Sequence, residues 1–206
     1  MTTVDTAKPT MRQRILDGAT AALQRMPLSK MTMEDIAQAG GIARQTIYKH
    51  FANRDEIVVA LFIDEVLHHH RPVMEELHAQ GMDADRLTTL FLDQIDLALG
   101  WSLLDLTFTP NAAPWIAELV LGSEPMQQAN RDVWLPILAD YQEAGLLRPG
   151  LDLAEATRWL TYQAIWLLSH PGTLATDETE RRHYARTYMV GALLTDPDGP
   201  GGDPPR

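Results

Sequence analysis

The apolar residues of this chain recur with a helical period over almost its whole length. They return every three or four residues, and no run alternates apolar and polar residues as a half-buried strand does. No internal repeat of fixed period is present. The pattern therefore predicts an all-α protein, with a small N-terminal helical bundle followed by a larger helical body.

Proline, glycine and capping residues divide the pattern into nine helices. Gly40 is expected to end the second helix in a left-handed conformation, and Pro72 to kink or break the fourth. Residues 1–8 are polar and aperiodic, and residues 196–206 hold four prolines and three glycines, so we expect a flexible arm and a disordered tail. The helices are expected at about residues 10–26, 32–40, 43–51, 53–71, 84–108, 114–121, 125–144, 153–169 and 177–194.

Composition excludes several classes of protein. With 206 residues, 45% of them hydrophobic and 22% charged, the chain can bury a sizeable core and is too apolar for a disordered protein. The absence of cysteine excludes a disulfide framework, a Cys-ligated metal and a thiol nucleophile. No apolar run approaches the roughly 18 residues of a membrane span. We expect a cytoplasmic protein with no membrane partner.

The charge is distributed unevenly along the chain. The net charge is −11, yet residues 1–55 hold eight Lys and Arg against five acidic residues and carry a net charge of +3. The other 151 residues carry −14. A basic segment ahead of an acidic body is compatible with an N-terminal nucleic-acid contact. A chance drift of a few charges would give the same asymmetry.

The most informative stretch runs from Met31 to Glu56. Thr32 is a good helix N-cap, and Asp35 follows at the third helical position, which makes a shortened capping box. Only two or three residues separate this helix from the next, and that spacing is typical of a helix-turn-helix. Asn53 is placed to cap the helix after that, with Glu56 at its third position.

The third predicted helix has an inner and an outer face. The helical period places Ala43, Ile47 and Phe51 on the inner side. The outer side presents an amide, an ammonium, hydroxyls and a guanidinium. These groups suit a DNA major groove, where Gln can pair with adenine and Lys or Arg with guanine. A short helical hairpin with a solvated polar face is the alternative that geometry leaves open.

In its detailed residues, the segment over about 10–60 resembles the DNA-binding domain of the TetR/AcrR family of bacterial transcriptional regulators. Ala43 departs from the family pattern, which has Ser there, and so removes an N-cap and a phosphate donor. Arg54 replaces the family's Lys, which keeps the charge and changes the donor geometry. The matching residues are Thr32, Asp35-Ile36-Ala37, Ala39 to Ala43, Thr46-Ile47-Tyr48, His50, Phe51 and Asp55-Glu56-Ile57.

The resemblance implies a homodimer that binds double-stranded DNA at a palindromic operator. It implies a helix-turn-helix DNA-binding domain of three helices at residues 9–54 and a ligand-binding and dimerisation domain at residues 55–195. Arg44, Gln45 and Lys49 become the candidates for reading bases. The remaining candidate DNA-binding residues, mainly for phosphates, are Thr32, Thr46, Tyr48, His50 and Arg54.

A weaker resemblance covers the C-terminal part of the chain. Residues 143–152 are similar to the loop that enters the last two long helices of many family members, and those helices form the dimer interface. Large aromatic residues at helical spacing suit a buried interface. The same residues could instead fill the core of one chain. The dimer-interface candidates are Trp159, Gln163, Trp166, Tyr184 and Tyr188.

The family's body holds a small-molecule effector between its central helices, and binding there releases DNA. Residues 87–108 are apolar nearly all round the helix, and Gln94 and Asp105 fall inside the apolar arc. Each needs a polar partner, which an effector or a neighbouring group of the chain could supply. An aromatic-rich pocket suggests a hydrophobic or amphipathic effector. The candidate ligand-binding residues are Phe91, Gln94, Trp101, Asp105, Phe108, Trp115, Met126 and Trp134.

No motif predicts an enzyme. Phosphate-binding loops, dinucleotide fingerprints, the His-Glu-x-x-His zinc motif and the Gly-x-Ser-x-Gly elbow are all missing from the sequence. The consecutive residues His68, His69 and His70 point in three directions on a helix, so we expect no metal and no cofactor. The leading hypothesis is a repressor released by an effector. The alternatives are a DNA-binding protein without an effector and, less favoured, a helical carrier or enzyme.

Overall fold

The computed structural model describes residues 9–100, 115, 118–119, 122–170 and 177–195. The predicted arm at 1–8 and tail at 196–206 lie outside this part of the chain. All the regular elements of the described residues are helical, and Leu147 and Leu194 form an isolated β-bridge. The all-α prediction is confirmed. The chain divides into two compact units, one ending at Leu61 and the other beginning at Phe62.

The first unit contains a compact set of short helices. Its core is built from fully buried aliphatic residues, among them Ile15, Leu23, Ile36 and Ile47. Ile57 is also fully buried, and the unit ends at Leu61. Its elements are α1 (Met11–Leu23), a 3₁₀ turn (Leu28–Lys30), α2 (Met33–Gly40), α3 (Arg44–Tyr48) and α4 (Arg54–Glu65), the last of which crosses the unit boundary.

Helices α1 and α2 approach each other closely at two glycines. A Cβ atom added at Gly18 would lie 2.9 Å from the Gly40 Cα atom and 3.0 Å from the Ile36 carbonyl oxygen. The prediction that Gly40 takes the left-handed conformation is wrong. Gly41 takes it, with φ 58°, because Gly40 is still helical and lies in this contact.

Helix α3 is shorter than the predicted helix at 43–51. Ala43 caps it without a side-chain hydrogen bond. At its other end, the Lys49 and His50 amides donate to the carbonyls three residues back, at 3.2 and 2.9 Å, so the last turn tightens. Asn53 then caps α4 as predicted, since its Oδ1 accepts from the Glu56 amide at 2.9 Å.

The second unit packs long helices around large side chains. Phe91, Trp134 and Tyr141 are fully buried in it. The Tyr141 hydroxyl donates to the Asp83 carbonyl at 3.1 Å, and burial raises the pKa of Tyr141 to about 12. Its elements are a π-helical turn (Val66–His70), α5 (Arg71–His78), α6 (Ala84–Gly100), α7 (Glu124–Glu143), α8 (Leu153–Ser169), α9 (Glu178–Tyr184) and a second π-helical turn (Ala185–Val190).

Of the two predicted effects of Pro72, a kink or a break, the break does not occur. The π-helical turn precedes it, and the Arg71 amide donates to the Val66 carbonyl five residues back. Pro72 therefore stands in the first turn of α5, where its missing N–H is tolerated. Within the part of the chain that the structure describes, no helix is long and apolar enough to cross a membrane.

Candidate nucleic-acid interface

The first turn of α2 is fixed by a capping box. The Thr32 hydroxyl oxygen accepts from the Asp35 amide at 3.3 Å, and the Asp35 carboxylate accepts from the Thr32 amide at 2.9 Å and from its hydroxyl at 2.6 Å. These hydrogen bonds lower the pKa of Asp35. The predicted capping box is confirmed, and it sets where α2 begins.

The turn between α2 and α3 is also fixed by local interactions. Gly41 adopts the left-handed conformation, and the Ile42 amide then donates to the Ala37 carbonyl at 3.0 Å. Ile42 is buried, and so is Ile47 on α3. One face of α3 is therefore anchored in the core, and the opposite face is left to solvent.

The solvent-facing side of α3 carries the predicted DNA-binding residues. We call this surface the α3 outer face. Thr46 on its edge is half-buried, and Thr32 at the start of α2 is exposed. The other members of the surface are all exposed: Arg44, Gln45, Tyr48, Lys49 and His50. The α3 outer face thus presents guanidinium, amide, hydroxyl, ammonium and imidazole groups on one short helix and the turn that follows it.

Arg44 is held in place by its neighbours. Its Nη2 atom donates to the Tyr48 hydroxyl at 3.2 Å, and its guanidinium lies 5.5 Å from the centre of the Tyr48 ring. The hydrogen bond to Tyr48 raises the pKa of Arg44, and the Glu34 carboxylate lies 3.8 Å away. Sequence reasoning missed Glu34. Its position on the first turn of α2, ahead of a basic helix, is the signal that could have found it.

Arg54 differs from the other predicted phosphate contacts. Its guanidinium donates to the Leu28 and Met31 carbonyls at 3.4 Å and to the Asp55 carboxylate at 3.0 and 3.1 Å. Only 28% of its side chain is exposed. In this structure Arg54 ties the start of α4 to the segment before α2.

The segment that carries the α3 outer face is similar to known regulatory proteins. Residues 15–61 match the family described as bacterial regulatory proteins, tetR family. The HTH-type transcriptional repressor KstR2 of Mycobacterium tuberculosis is 26% identical over 154 residues, which cover 72% of this chain and 75% of KstR2. The DNA-binding domain of this chain is a TetR-family domain. With that domain and a repressor as its relative, the protein is a DNA-binding transcriptional regulator and not an enzyme.

Solved structures share the fold of this chain. The repressor AlkX from Dietzia sp. strain DQ12-45-1b superposes with a TM-score of 0.65 at 17% identity, covering 91% of this chain and 98% of AlkX. SmeT, the repressor of the Stenotrophomonas maltophilia multidrug efflux pump SmeDEF, gives a TM-score of 0.52 at 25% identity, over 95% and 96% of the two chains. The likeness therefore extends beyond the helix-turn-helix to the helical body.

In the body, the predicted dimer residues lie on the last helices. Trp159 and Trp166 on α8, Tyr184 at the end of α9 and Tyr188 in the second π-helical turn are exposed, and Gln163 is half-buried. Tyr162 on α8 is exposed as well. Trp166 stacks on His170, and the Tyr184 ring lies tilted against Tyr188 with 5.0 Å between the ring centres. The Trp159 indole N–H donates to the Met189 carbonyl at 3.0 Å.

The predicted effector residues fall into two groups. Phe91, Gln94, Met126 and Trp134 are buried on α6 and α7, and the Trp134 indole N–H donates to the Gln94 side-chain oxygen at 3.0 Å. The partner that Gln94 requires is thus a side chain of the same unit. Trp115 is half-buried. Trp101, Asp105 and Phe108 lie outside the described residues, as does the side chain of His69.

Proposed function

We propose that this regulator is a homodimeric repressor that binds a palindromic operator through the α3 outer face. The observation that carries the proposal is the placement of exposed base-reading and phosphate-binding groups on a helix whose other face is buried. Arg44, Gln45 and Lys49 read base edges in the major groove. Thr46, Tyr48 and His50 contact phosphates, and Thr32 contacts the backbone at the start of α2.

Arg54 has an indirect role in this proposal. Its guanidinium is committed to the Leu28 and Met31 carbonyls and to Asp55, and it fixes the position of α4. Arg54 therefore stabilises the DNA-binding unit through contacts within it and does not bind DNA itself. Loss of Arg54 should lower the stability of the protein together with its affinity for every DNA sequence, whereas loss of a base-reading residue should change affinity for the operator alone.

The base-reading assignment is tested by measuring DNA affinity by fluorescence anisotropy. Lys49→Ala and Gln45→Ala are each expected to weaken operator binding by about 1–3 kcal/mol while binding to unrelated DNA changes little. Lys30→Ala, another exposed lysine of the same unit but outside α3, is the matched control. If Lys49→Ala bound the operator as tightly as the wild type, the assignment of the α3 outer face would be wrong.

The dimer is supported by a group of exposed aromatic residues on α8, α9 and the second π-helical turn. We call this group the aromatic stripe: Trp159, Tyr162, Trp166, Tyr184 and Tyr188, which are between 38% and 61% exposed. So much aromatic surface in contact with water is typical of an interaction site. A second copy of the chain packed on this surface gives a dimer with two α3 helices, and operator binding requires them to reach successive major grooves, about 34–36 Å apart.

Sedimentation velocity tests the dimer. The wild type is expected to sediment as a dimer and Trp166→Glu as a monomer, because a charge in the centre of an aromatic interface must be desolvated. Met82→Glu places the same charge at an equally exposed apolar residue outside the aromatic stripe, and it should leave the dimer intact. A wild type that sediments as a monomer at micromolar concentration would contradict the proposal.

We further propose that a small hydrophobic or amphipathic effector binds among the α6 and α7 side chains and releases the DNA. Phe91, Met126 and Trp134 supply apolar walls, and Gln94 supplies the polar group that orients a ligand. An effector whose donor takes the place of the Trp134 indole at the Gln94 oxygen breaks this hydrogen bond. Binding is then linked to movement of α7, and linkage requires that the DNA and the effector weaken each other equally.

One observation favours the alternative function, a DNA-binding regulator that has no effector. The Gln94–Trp134 hydrogen bond satisfies the Gln94 oxygen within the unit. A panel of fatty acids, sterols and hydrophobic amines screened by tryptophan fluorescence and by operator release separates the two functions. Quenching of Trp134 together with DNA release supports the effector, and Trp134→Phe should remove the quenching. A panel that neither quenches nor releases DNA would support the alternative.

A further inference from the structure

A polar cleft lies between α7 and α8, apart from the effector residues and from the α3 outer face. It is about 70 Å³ in volume, which corresponds to the space of about five water molecules. Seven of its eight lining residues carry a polar group on the side chain, among them amides, guanidiniums and hydroxyls, although apolar atoms form the larger part of the wall surface. The lining residues used below are Gln127, Asn130, Arg131, Thr157, Arg158 and Tyr162.

Asn130 is the most unusual residue of the cleft. It is only 5% exposed and lines the cleft from the middle of α7. Over the part of the chain that the structure describes, no side chain or carbonyl makes a hydrogen bond to its amide group. The amide atoms open to the cleft instead of being sealed from solvent. They are therefore accessible to a ligand that enters the cleft.

The two arginines of the cleft retain free donors. Arg131 uses its Nε and Nη2 atoms for Glu124 and Gln128, at 2.6 to 3.1 Å, which holds the guanidinium in place and leaves Nη1 available. Arg158 makes one long contact of 3.5 Å with Glu155, and 53% of its side chain is exposed. One guanidinium is thus fixed at the wall, and the other is able to close over a ligand.

The hydrogen-bond donors that remain unused in the cleft indicate which kind of ligand it can bind. Thr157 donates to the Leu153 carbonyl at 2.9 Å, so its hydrogen is already used. Tyr162 belongs to the aromatic stripe, so the donors that remain are the Asn130 amide, the Arg131 Nη1 atom and the Arg158 guanidinium. No carboxylate is among the lining residues. Three donor groups, two of them cationic, match the acceptor oxygens of a small anion.

We infer that the α7–α8 cleft binds a small oxyanion, either a phosphate or the carboxylate group of a small acid. The volume fits a phosphate ion or a carboxylate with a short tail. Asn130 and Arg131 hold the oxygens from the α7 side, and Arg158 closes from the α8 side with a bidentate contact. Because the ligand joins two helices of one unit, it stabilises that unit whether or not DNA is bound.

The inference is tested by calorimetric titration of the full chain with inorganic phosphate and, separately, with sodium acetate, each at constant ionic strength against chloride. Saturable binding of phosphate or acetate is expected. Asn130→Leu and Arg158→Gln should each weaken it at least tenfold. Arg71→Gln is the matched control, since Arg71 also pairs with a glutamate one turn away on an exposed surface, and it should bind like the wild type.

The arms of the titration give distinct results. Binding of phosphate alone assigns the site to phosphate, and binding of acetate alone assigns it to carboxylates. Absence of saturable binding of both anions would overturn the inference, and so would binding that survives in Asn130→Leu and Arg158→Gln. Thermal melts check that both variants are folded. If Asn130→Leu fails to fold, Arg158→Gln still tests the site, because it changes an exposed residue. Operator binding does not enter this test.

Discussion

Within each of the two units of this regulator, the polar interactions that fix the helices join residues at different separations along the chain. In the DNA-binding unit, the bonds that define the helix-turn-helix join residues three to five positions apart, such as Thr32 with Asp35 and Ile42 with Ala37. In the second unit, the Trp134–Gln94 hydrogen bond spans 40 residues, and the ion pair of Arg181 with Asp96 at 2.5 Å spans 85.

This difference has a structural consequence. The relative placement of α2 and α3 is set by caps and a turn that act within one short segment, so the recognition surface keeps its shape as long as that segment folds. The helices of the second unit pack around a large core and are also joined by polar pairs between distant segments. A ligand that competes for one of those pairs can shift a whole helix, and such a response is what an effector needs.

The largest expected effect is on the tight contact in the first unit. Gly18→Ala is expected to destabilise the protein by about 3 kcal/mol, because the new methyl group meets the backbone of Gly40, which cannot rotate away. Gly100→Ala in the second unit meets no atom within 4 Å and should be neutral or stabilising by up to about 1 kcal/mol. Thermal unfolding measures both. Equal losses for the two variants would contradict the close approach.

The next effect tests the long-range pair of the second unit. Gln94→Leu is expected to cost about 1–3 kcal/mol, because it leaves the buried Trp134 N–H without its acceptor. Gln94→Leu combined with Trp134→Phe removes both partners and should cost less than the sum of the single changes. Urea unfolding of the three variants gives the coupling. Additive losses would show that the bond contributes nothing.

A smaller effect is expected from the local cap of the first unit. Thr32→Ala removes the acceptor of the Asp35 amide and should cost about 1 kcal/mol. Thr32→Ser keeps the hydroxyl and is the control. Urea unfolding followed by circular dichroism is the measurement. A loss for Thr32→Ser as large as that for Thr32→Ala would show that the methyl group matters and the cap does not.

The smallest effect concerns pH and the charges between α6 and α9. Burial, with Asp96 nearby, raises the pKa of Asp93 although Arg181, Arg182 and Arg86 oppose the shift. The folded state therefore loses stability as pH rises from the unfolded pKa of Asp93 through its folded pKa. Asp93→Asn should be more stable than the wild type at pH 7, and this advantage should vanish near pH 4. Melts at both values check the sign, and an advantage that persists at pH 4 would contradict it.

The sequence predicts the first unit in detail because its signals are local. Thr32, Asp35 and Asn53 are capping residues whose partners lie within one helical turn, and their roles follow from spacing alone. The error at Gly40 arose because two glycines stand side by side. Only the contact with Gly18, more than twenty positions away in the chain, decides which of them remains helical.

The second unit is less predictable for the same physical reason. The sequence predicts that Gln94 needs a partner, but its identity as Trp134 depends on how α6 and α7 pack. The π-helical turn before Pro72 gives no signal in the periodicity, because a wide turn shifts the pattern by only one residue. Asn130 and the cleft around it follow from the packing of α7 on α8 and have no motif at all.

We propose that the α3 outer face of a homodimer reads a palindromic operator, and selection of bound sequences from a random duplex DNA pool at about 0.15 M salt is the decisive experiment. We expect enrichment of an inverted repeat whose half-sites lie about one helical turn, or a small multiple of it, apart. Protein shown to be folded that enriches no sequence, or only an unpaired half-site, would contradict it.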